Sequence, residues 1–240
     1  MISIVMPVYN GEKYILKSIE ITKSYMNKLD EPYEIIVVDD GSKDDTYKKV
    51  LAIVNSNNIR VFRYPINKGK GYAFIYGVLR SKGERIVLFD SDLDISPYQI
   101  GFLLKILRRS NADIVITDKW HFQSKVIASS LRKFLSKMFN MLVRLLTGLK
   151  IQDTQTGAKI FKKKALLRII KHVYIKRYTF DVELLLIADQ LGYKIIEVPS
   201  LKPIVLTSKF RIKEIIYMLL ELFSITYRHK LLYHSSRGNK

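Results

Sequence analysis

Five times between Met1 and Lys119 a short apolar run stops abruptly in a polar cluster. The clusters are Tyr9-Asn10, Asp39-Asp40, Lys68 to Lys70, Asp90-Ser91-Asp92 and Asp118-Lys119. The runs before them, at 3–8, 33–38, 59–64, 84–89 and 113–117, read as short strands. Between them lie stretches with helical spacing, such as Ile15, Leu16, Ile19 and Met26 within 12–28, a helix to about residue 80, and one opening at Ser96-Pro97. Ser42 is expected to cap another helix, with Asp45 in its acidic first turn. Alternating strands and helices predict an α/β fold: a Rossmann-like, mostly parallel sheet flanked by helices, with right-handed crossovers. Ligands in such sheets sit beyond the carboxyl ends of the strands. One polar loop is ordinary; five that follow strands converge on one sheet edge.

The sharpest of the five is Val87-Leu88-Phe89-Asp90-Ser91-Asp92-Leu93-Asp94. Carboxylates at the end of a buried strand are costly unless paired or bound to a cation. A hard divalent ion is held by one or two carboxylates together with substrate phosphates. The pattern therefore points to Mg2+ or Mn2+ at Asp90 and Asp92, with Asp94 either a third metal carboxylate or a cap of the turn before Ser96-Pro97, while an Asp-rich turn is the plainer alternative. Neither a dinucleotide G-x-G-x-x-G nor a P-loop is present. Asn67-Lys68-Gly69-Lys70-Gly71 is suited to approach a diphosphate through its lysines.

The 240 residues hold 41 Lys and Arg against 22 Asp and Glu, a net charge of +19. Such a surplus suits nucleic acid, anionic membrane or phosphorylated substrates. No helix-turn-helix, zinc finger or RNA-recognition motif places the charge on a groove, so a nucleic-acid partner is not expected. Without cysteine there is neither a disulfide nor a thiolate metal site. No stretch reaches the ~18 apolar residues of a spanning helix. The N-terminus reads as a first strand rather than a signal peptide, so a cytoplasmic protein, peripheral on the membrane face, is expected.

Met6-Pro7-Val8-Tyr9-Asn10, Val38-Asp39-Asp40-Gly41-Ser42-Lys43-Asp44-Asp45-Thr46, Asn67-Lys68-Gly69-Lys70-Gly71 and Asp90-Ser91-Asp92 together closely resemble family 2 glycosyltransferases. Asp153-Thr154-Gln155-Thr156-Gly157 and Phe180-Asp181-Val182-Glu183-Leu184-Leu185 extend the resemblance to dolichyl-phosphate glucose synthases and, more loosely, mannose synthases. It implies a GT-A fold and a nucleotide-sugar donor, with UDP-glucose favoured over GDP-mannose. Pro7, Tyr9 and Asp39 would line the nucleoside pocket and Asp40 would support its loop. Lys68 and Lys70 would lie near the diphosphate, and Asp90 and Asp92 would hold ribose and metal. Lys119 stands where relatives often carry an arginine towards phosphate, although lysine is only a point charge. Ser208-Lys209 resembles a pair on a loop that closes over phosphate. Gly11 stands where close relatives have glutamate, with Glu12 next, and the start on a first strand leads to the expectation of no N-terminal anchor of the glucose-synthase kind.

The implied reaction is inverting transfer of a hexose to a polyprenyl (dolichyl) phosphate. Such an acceptor, with a second pKa near ~6, needs no general base. It needs cations, for which Lys159, Lys209 and Arg211 are candidates. The alternative acceptor, a glycan or glycolipid hydroxyl, would need a base. Asp153, with Gln155 beside it, is the candidate to orient the acceptor or act as that base. Asp181 and Glu183 also read as acids in the first turn of a helix. Residues 124–149 form a basic amphipathic helix, with Ile127, Leu131, Phe134, Leu135, Met138, Met141, Leu142 and Leu145 opposite Arg132, Lys133, Lys137 and Arg144. That helix suits an anionic membrane surface, the alternative being an ordinary helix packed on its own domain with a solvated basic face. Residues 1–208 are expected to form the catalytic domain and 209–240 a C-terminal helix and basic tail. A non-catalytic basic protein is the third reading, disfavoured because the site carboxylates would then have no task.

Overall fold

The structure, a computed structural model, describes residues 1–54, 58–206 and 212–237, with side chains through residue 229. Strands β1 (Ile2–Val8), β2 (Tyr33–Asp39), β3 (Ile59–Arg63), β4 (Arg85–Phe89) and β5 (Ile114–Asp118) alternate with helices α1 (Ile15–Asn27), α2 (Thr46–Leu51), α3 (Lys70–Val78) and α4 (Tyr98–Arg109). There follow β6 (Val126–Ile127), α5 (Ser130–Thr147), β7 (Ala158–Lys162), α6 (Lys163–Ile169), α7 (Phe180–Gln190), β8 (Ile195–Pro199), β9 (Ile204–Val205) and α8 (Ile212–Arg237).

Seven strands form one sheet in the order β3-β2-β1-β4-β7-β5-β8, and β6 pairs with β9 in a small second sheet. Among the described residues only β7 runs antiparallel in the large sheet, between β4 and β5. All five expected strands are present. The sequence reading did not anticipate β7 or β8. β7 carries lysines at Lys159 and Lys162, which hide a buried strand behind a basic composition.

β1 and β2 are buried along their full length because helices cover both sheet faces. Ile4, Met6, Ile35 and Val87 pack under Ile15 and Ile19 of α1 and Leu103 and Leu107 of α4. Val5, Ile36, Leu88 and Ile116 face Phe74 of α3, Leu166 of α6 and Leu184 of α7. A third cluster joins Phe139 and Val143 of α5, Val182 and Leu186 of α7, and Met218, Leu222 and Ile225 of α8.

Three local expectations change. Ser42 does not cap α2, which starts at Thr46 without a side-chain cap. Its Oγ instead accepts from Asn10 N at 2.8 Å, tying the first two strand-end loops together. Ser96 likewise leaves α4 without a side-chain cap and offers its carbonyl to Gln99 N at 2.9 Å. The amphipathic segment divides: Val126 and Ile127 form β6, Ser129 Oγ accepts from Arg132 N, and the helix runs from Ser130 until Gly148 turns left-handed at φ 75°.

Candidate active site

Parallel pairing sets the strand ends side by side: Val8 is opposite Asp39, and β4 adjoins β1 on its other flank. The polar loops thereby meet at one edge and wall two cavities of about 790 Å³ each, with Tyr9 between them. The first is lined by Ser42 to Asp45, Tyr47, Arg63 and Asn67. The second holds Pro7, Lys70, Asp90, Asp92, Asp94, Lys119 and Gln155, which the sequence reading had named from five separate stretches.

Asp39 lies beneath the first cavity, almost wholly buried. Its Oδ1 accepts from Ser42 N at 3.0 Å. Arg63 Nε stands 3.1 Å from Oδ2 but off the hydrogen-bond direction, which leaves that oxygen without a donor. The Arg63 guanidinium also covers the Tyr47 ring and donates to Ser42 O at 3.0 Å. Asp40 organises the next loop. Its carboxylate accepts from Tyr64 Oη at 2.7 Å, Asn67 Nδ2 at 2.8 Å, Lys68 N at 2.7 Å and Gly69 N at 2.9 Å. Burial, with Asp40 adding to it, pushes the Tyr64 phenol far up and keeps it a donor. Gly69 has φ 100°, and a Cβ there would fall 2.4 Å from Lys176 O. Only glycine permits this approach.

At the second cavity Lys70 Nζ binds Asp90 Oδ1 at 2.8 Å and Asp181 Oδ2 at 3.3 Å. Asp181 Oδ1 binds Lys159 Nζ at 2.8 Å. Burial lowers the Lys159 ammonium despite Asp181 beside it. Burial works to raise Asp181, yet Lys159 and Lys70 hold it below the usual carboxylate range. Asp90 fits because residue 157 is glycine: a Cβ there would lie 2.7 Å from Asp90 Oδ2. Asp92 is pushed up by burial and then by Asp90. Asp94 is pushed up to about 7 by burial and then by Asp92, against Arg132 and Lys119. Asp94 N donates to Asp92 Oδ1 at 3.0 Å, so Asp92 closes the turn and Asp94 faces the cavity.

Among the described residues no three His, Asp or Glu side chains gather into a metal cage. The donor set nevertheless fits a hard dication that completes its shell with phosphate oxygens. Asp92 and Asp94 repel one another, and a bound dication would relieve that repulsion.

Several predicted site residues take other positions. Lys68 reaches back over Tyr72, with Nζ 4.5 Å from the ring centre, and does not line the cavity. Lys159 is fully buried, so it is no direct ligand for an acceptor phosphate. Asp153 is also fully buried: Lys119 N approaches at 3.0 Å and Lys119 Nζ at 2.5 Å, which makes it the holder of Lys119 rather than an open base. Gln155 does line the cavity and donates to Tyr178 O at 3.1 Å. Ser208, Lys209 and Arg211 lie outside the described residues. Glu183 points away from the site, accepting from Tyr174 N, Ile175 N and Arg228.

A further part of the cavity lining was missed. It consists of Arg132 and Ser136 of α5, Arg177 and Tyr178, and Glu214 and Met218 of α8. Arg132 had a signal, as one cation of a basic helix face, but nothing showed that it turns inward. Arg177 carried no local pattern. It bridges to the Asp40-held loop through Asn67 Oδ1 at 3.0 Å and Asn67 O at 2.9 Å.

The model of glycosyl transferase family 2 matches residues 3–170. A dolichyl-phosphate beta-glucosyltransferase of Trichomonas vaginalis is 32% identical over 96% of this chain and 74% of its own length. That of Mus musculus is 35% identical over 82% of this chain and 65% of its own length. Among solved structures, glucosyl-3-phosphoglycerate synthase from Mycobacterium tuberculosis, in complex with Mn2+, UDP-glucose and phosphoglyceric acid, superposes with a TM-score of 0.70. The match has 21% identity and covers 94% of this chain and 78% of that one. The sheet order, the strand-end site and these likenesses agree: the chain has the GT-A fold and belongs to glycosyltransferase family 2.

Proposed function

We propose that this glycosyltransferase moves glucose from UDP-glucose, with inversion, onto a dolichyl or other polyprenyl phosphate at a membrane surface. The observation that carries the reading is one cavity lined by two unlike sets of groups. One set is Pro7, Tyr9, Lys70, Asp90 and Asp92, groups suited to a nucleoside diphosphate and its metal. The other is Arg132, Ser136 and Arg177, donors suited to a second anion. The relatives' names join dolichyl phosphate and glucose, and the solved neighbour is in complex with UDP-glucose, Mn2+ and phosphoglyceric acid.

Asp92 and Asp94, with Asp90 beside them, would hold Mg2+ or Mn2+, which as a Lewis acid neutralises charge on the departing diphosphate. Lys70 and Lys119 add fixed positive charge at the same place. A phosphate monoester is already largely ionised near neutral pH and attacks without a base. The burial of Asp153 under Lys119 favours this acceptor over a sugar hydroxyl.

Outside the cavity, α5 leaves Leu131, Phe134, Met138, Met141 and Leu145 exposed at helical spacing. α8 does the same with Ile212, Ile216, Leu220, Phe223 and Tyr227. Both helices pack on the protein through other residues, so these stripes are surplus to the core. Among the described residues no helix is long and apolar enough to cross a membrane. The stripes would lie on the cytoplasmic leaflet beside the cavity mouth and deliver a lipid phosphate to it.

The test is transfer of labelled sugar to dolichyl phosphate in detergent or vesicles with Mn2+ or Mg2+. UDP-glucose should give an acid-labile glycolipid, and Asp92→Ala should abolish it. No lipid product from UDP-glucose or GDP-mannose would refute the proposal.

A further inference from the structure

Asp181 lines the cavity, and Lys159 stands behind it in the interior. Lys159 projects from β7, opposite Leu88 of β4 and Ile116 of β5, into the interior. Its ammonium is fully buried and meets Asp181 Oδ1 at 2.8 Å. Asp181 stands in the first turn of α7 and reaches Lys70 with its other oxygen at 3.3 Å. Lys70 ends the series on Asp90 at 2.8 Å, at the cavity. Charge therefore alternates from interior to site: Lys159, Asp181, Lys70, Asp90.

We infer that Lys159 is a positioning residue that keeps Lys70 available to the donor diphosphate by neutralising Asp181 from behind. This rests on the nucleotide-sugar reading above. A buried carboxylate without a partner is strongly unfavourable and draws in any cation within reach. With Lys159 in place Asp181 already has its counter-charge, and its hold on Lys70 is the longer of Lys70's two contacts. Lys70 can then be shared with an arriving anion. With Lys159 neutral, the series gains one net negative charge and Asp181 must take Lys70 for itself. The anion site then loses its cation and faces an added repulsion.

The decisive variants are Lys159→Met and the double variant Lys159→Met/Asp181→Asn, compared by calorimetric binding of UDP with Mn2+, with melting curves for each. In Lys159→Met, UDP affinity should fall by about tenfold or more, the scale of one charge-assisted contact. In the double variant the buried charges are removed together, and affinity should return to within about threefold of the parent. In turnover, the single variant should raise the donor KM more than it lowers kcat. If Lys159→Met does not fold, the double variant decides alone, since it leaves no unpaired buried charge. Parent-like binding by a folded single variant would overturn the inference, as would a double variant that binds no better than about tenfold below the parent. If the parent itself bound no UDP, the nucleotide-sugar reading would fall, and the relay with it.

Discussion

Asp153 shows how residue type and position separate. Its resemblance-based role was base or acceptor guide, and an aspartate in that sequence context invites it. The fold sets it beneath Lys119, with both oxygens committed to that residue and its own N–H given to Glu197. The two roles predict different kinetics. A base removed by Asp153→Asn would abolish kcat while donor binding survived. A holder of Lys119 removed in the same way should raise the donor KM by about tenfold, the loss of one charge-assisted hydrogen bond, with a smaller change in kcat. Steady-state kinetics with varied UDP-glucose decides between them, and loss of kcat at unchanged KM would restore the base. Gly157 makes the related point that a site residue need not touch substrate. Its missing Cβ is the space Asp90 occupies.

At the level of elements, α7 and α8 show what a sequence conceals. α7 is buried on every side, so its apolar residues show no helical stripe. The acids in its first turn read equally well as dipole partners, yet they have separate tasks. Asp181 turns to the site, while Glu183 fastens α8 through Arg228 Nη1 at 2.6 Å and the loop before it through Tyr174 N and Ile175 N. Burial works to raise Glu183, but His229, those two N–H groups and Arg228 hold it below the usual range. A depressed carboxylate contributes stability above its unfolded pKa, and that stability is lost as pH falls through the folded value. Acid should thus loosen α8 below about pH 4, where unfolded glutamate titrates. Glu183→Gln should lower the melting temperature at pH 7 by about 5 °C, from roughly 2 kcal/mol of charged hydrogen bonding. It should also flatten the acid limb of the stability curve. An unchanged acid limb would mean that α8 is held by its apolar contacts alone. The five strands and their polar ends were legible because each apolar run is short, β-branched and sharply ended. β7, the inward turn of Arg132 and the Asp181–Lys159 pairing were not. They arise from pairing across more than twenty residues, which no local pattern records.

On the scale of the whole molecule, the net charge of +19 and the two exposed apolar stripes belong to one question. Charge alone would give a salt-sensitive association with any polyanion. Near an anionic leaflet each Lys or Arg contributes about 1 kcal/mol, within a Debye length of about 8 Å at physiological salt. Each stripe residue withdrawn from water contributes about 1.5–3 kcal/mol, and salt does not screen that contribution. With Leu131, Phe134, Met138, Met141 and Leu145 on one helix and a similar set on the next, the apolar part should dominate once the protein has docked. Charge would then set how fast it arrives and which leaflet it prefers. Sedimentation with vesicles separates the two contributions. Binding should rise with the fraction of anionic lipid, weaken at high salt, and keep a salt-resistant remainder. The double change Leu131→Glu/Phe134→Glu should remove that remainder and leave the melting temperature nearly unchanged, because both side chains are exposed. The same variant should lose transfer to dolichyl phosphate in vesicles yet retain UDP binding, since neither residue lines the donor wall. Full loss of vesicle binding in high salt by the parent would reduce the proposed membrane face to a solvated basic surface.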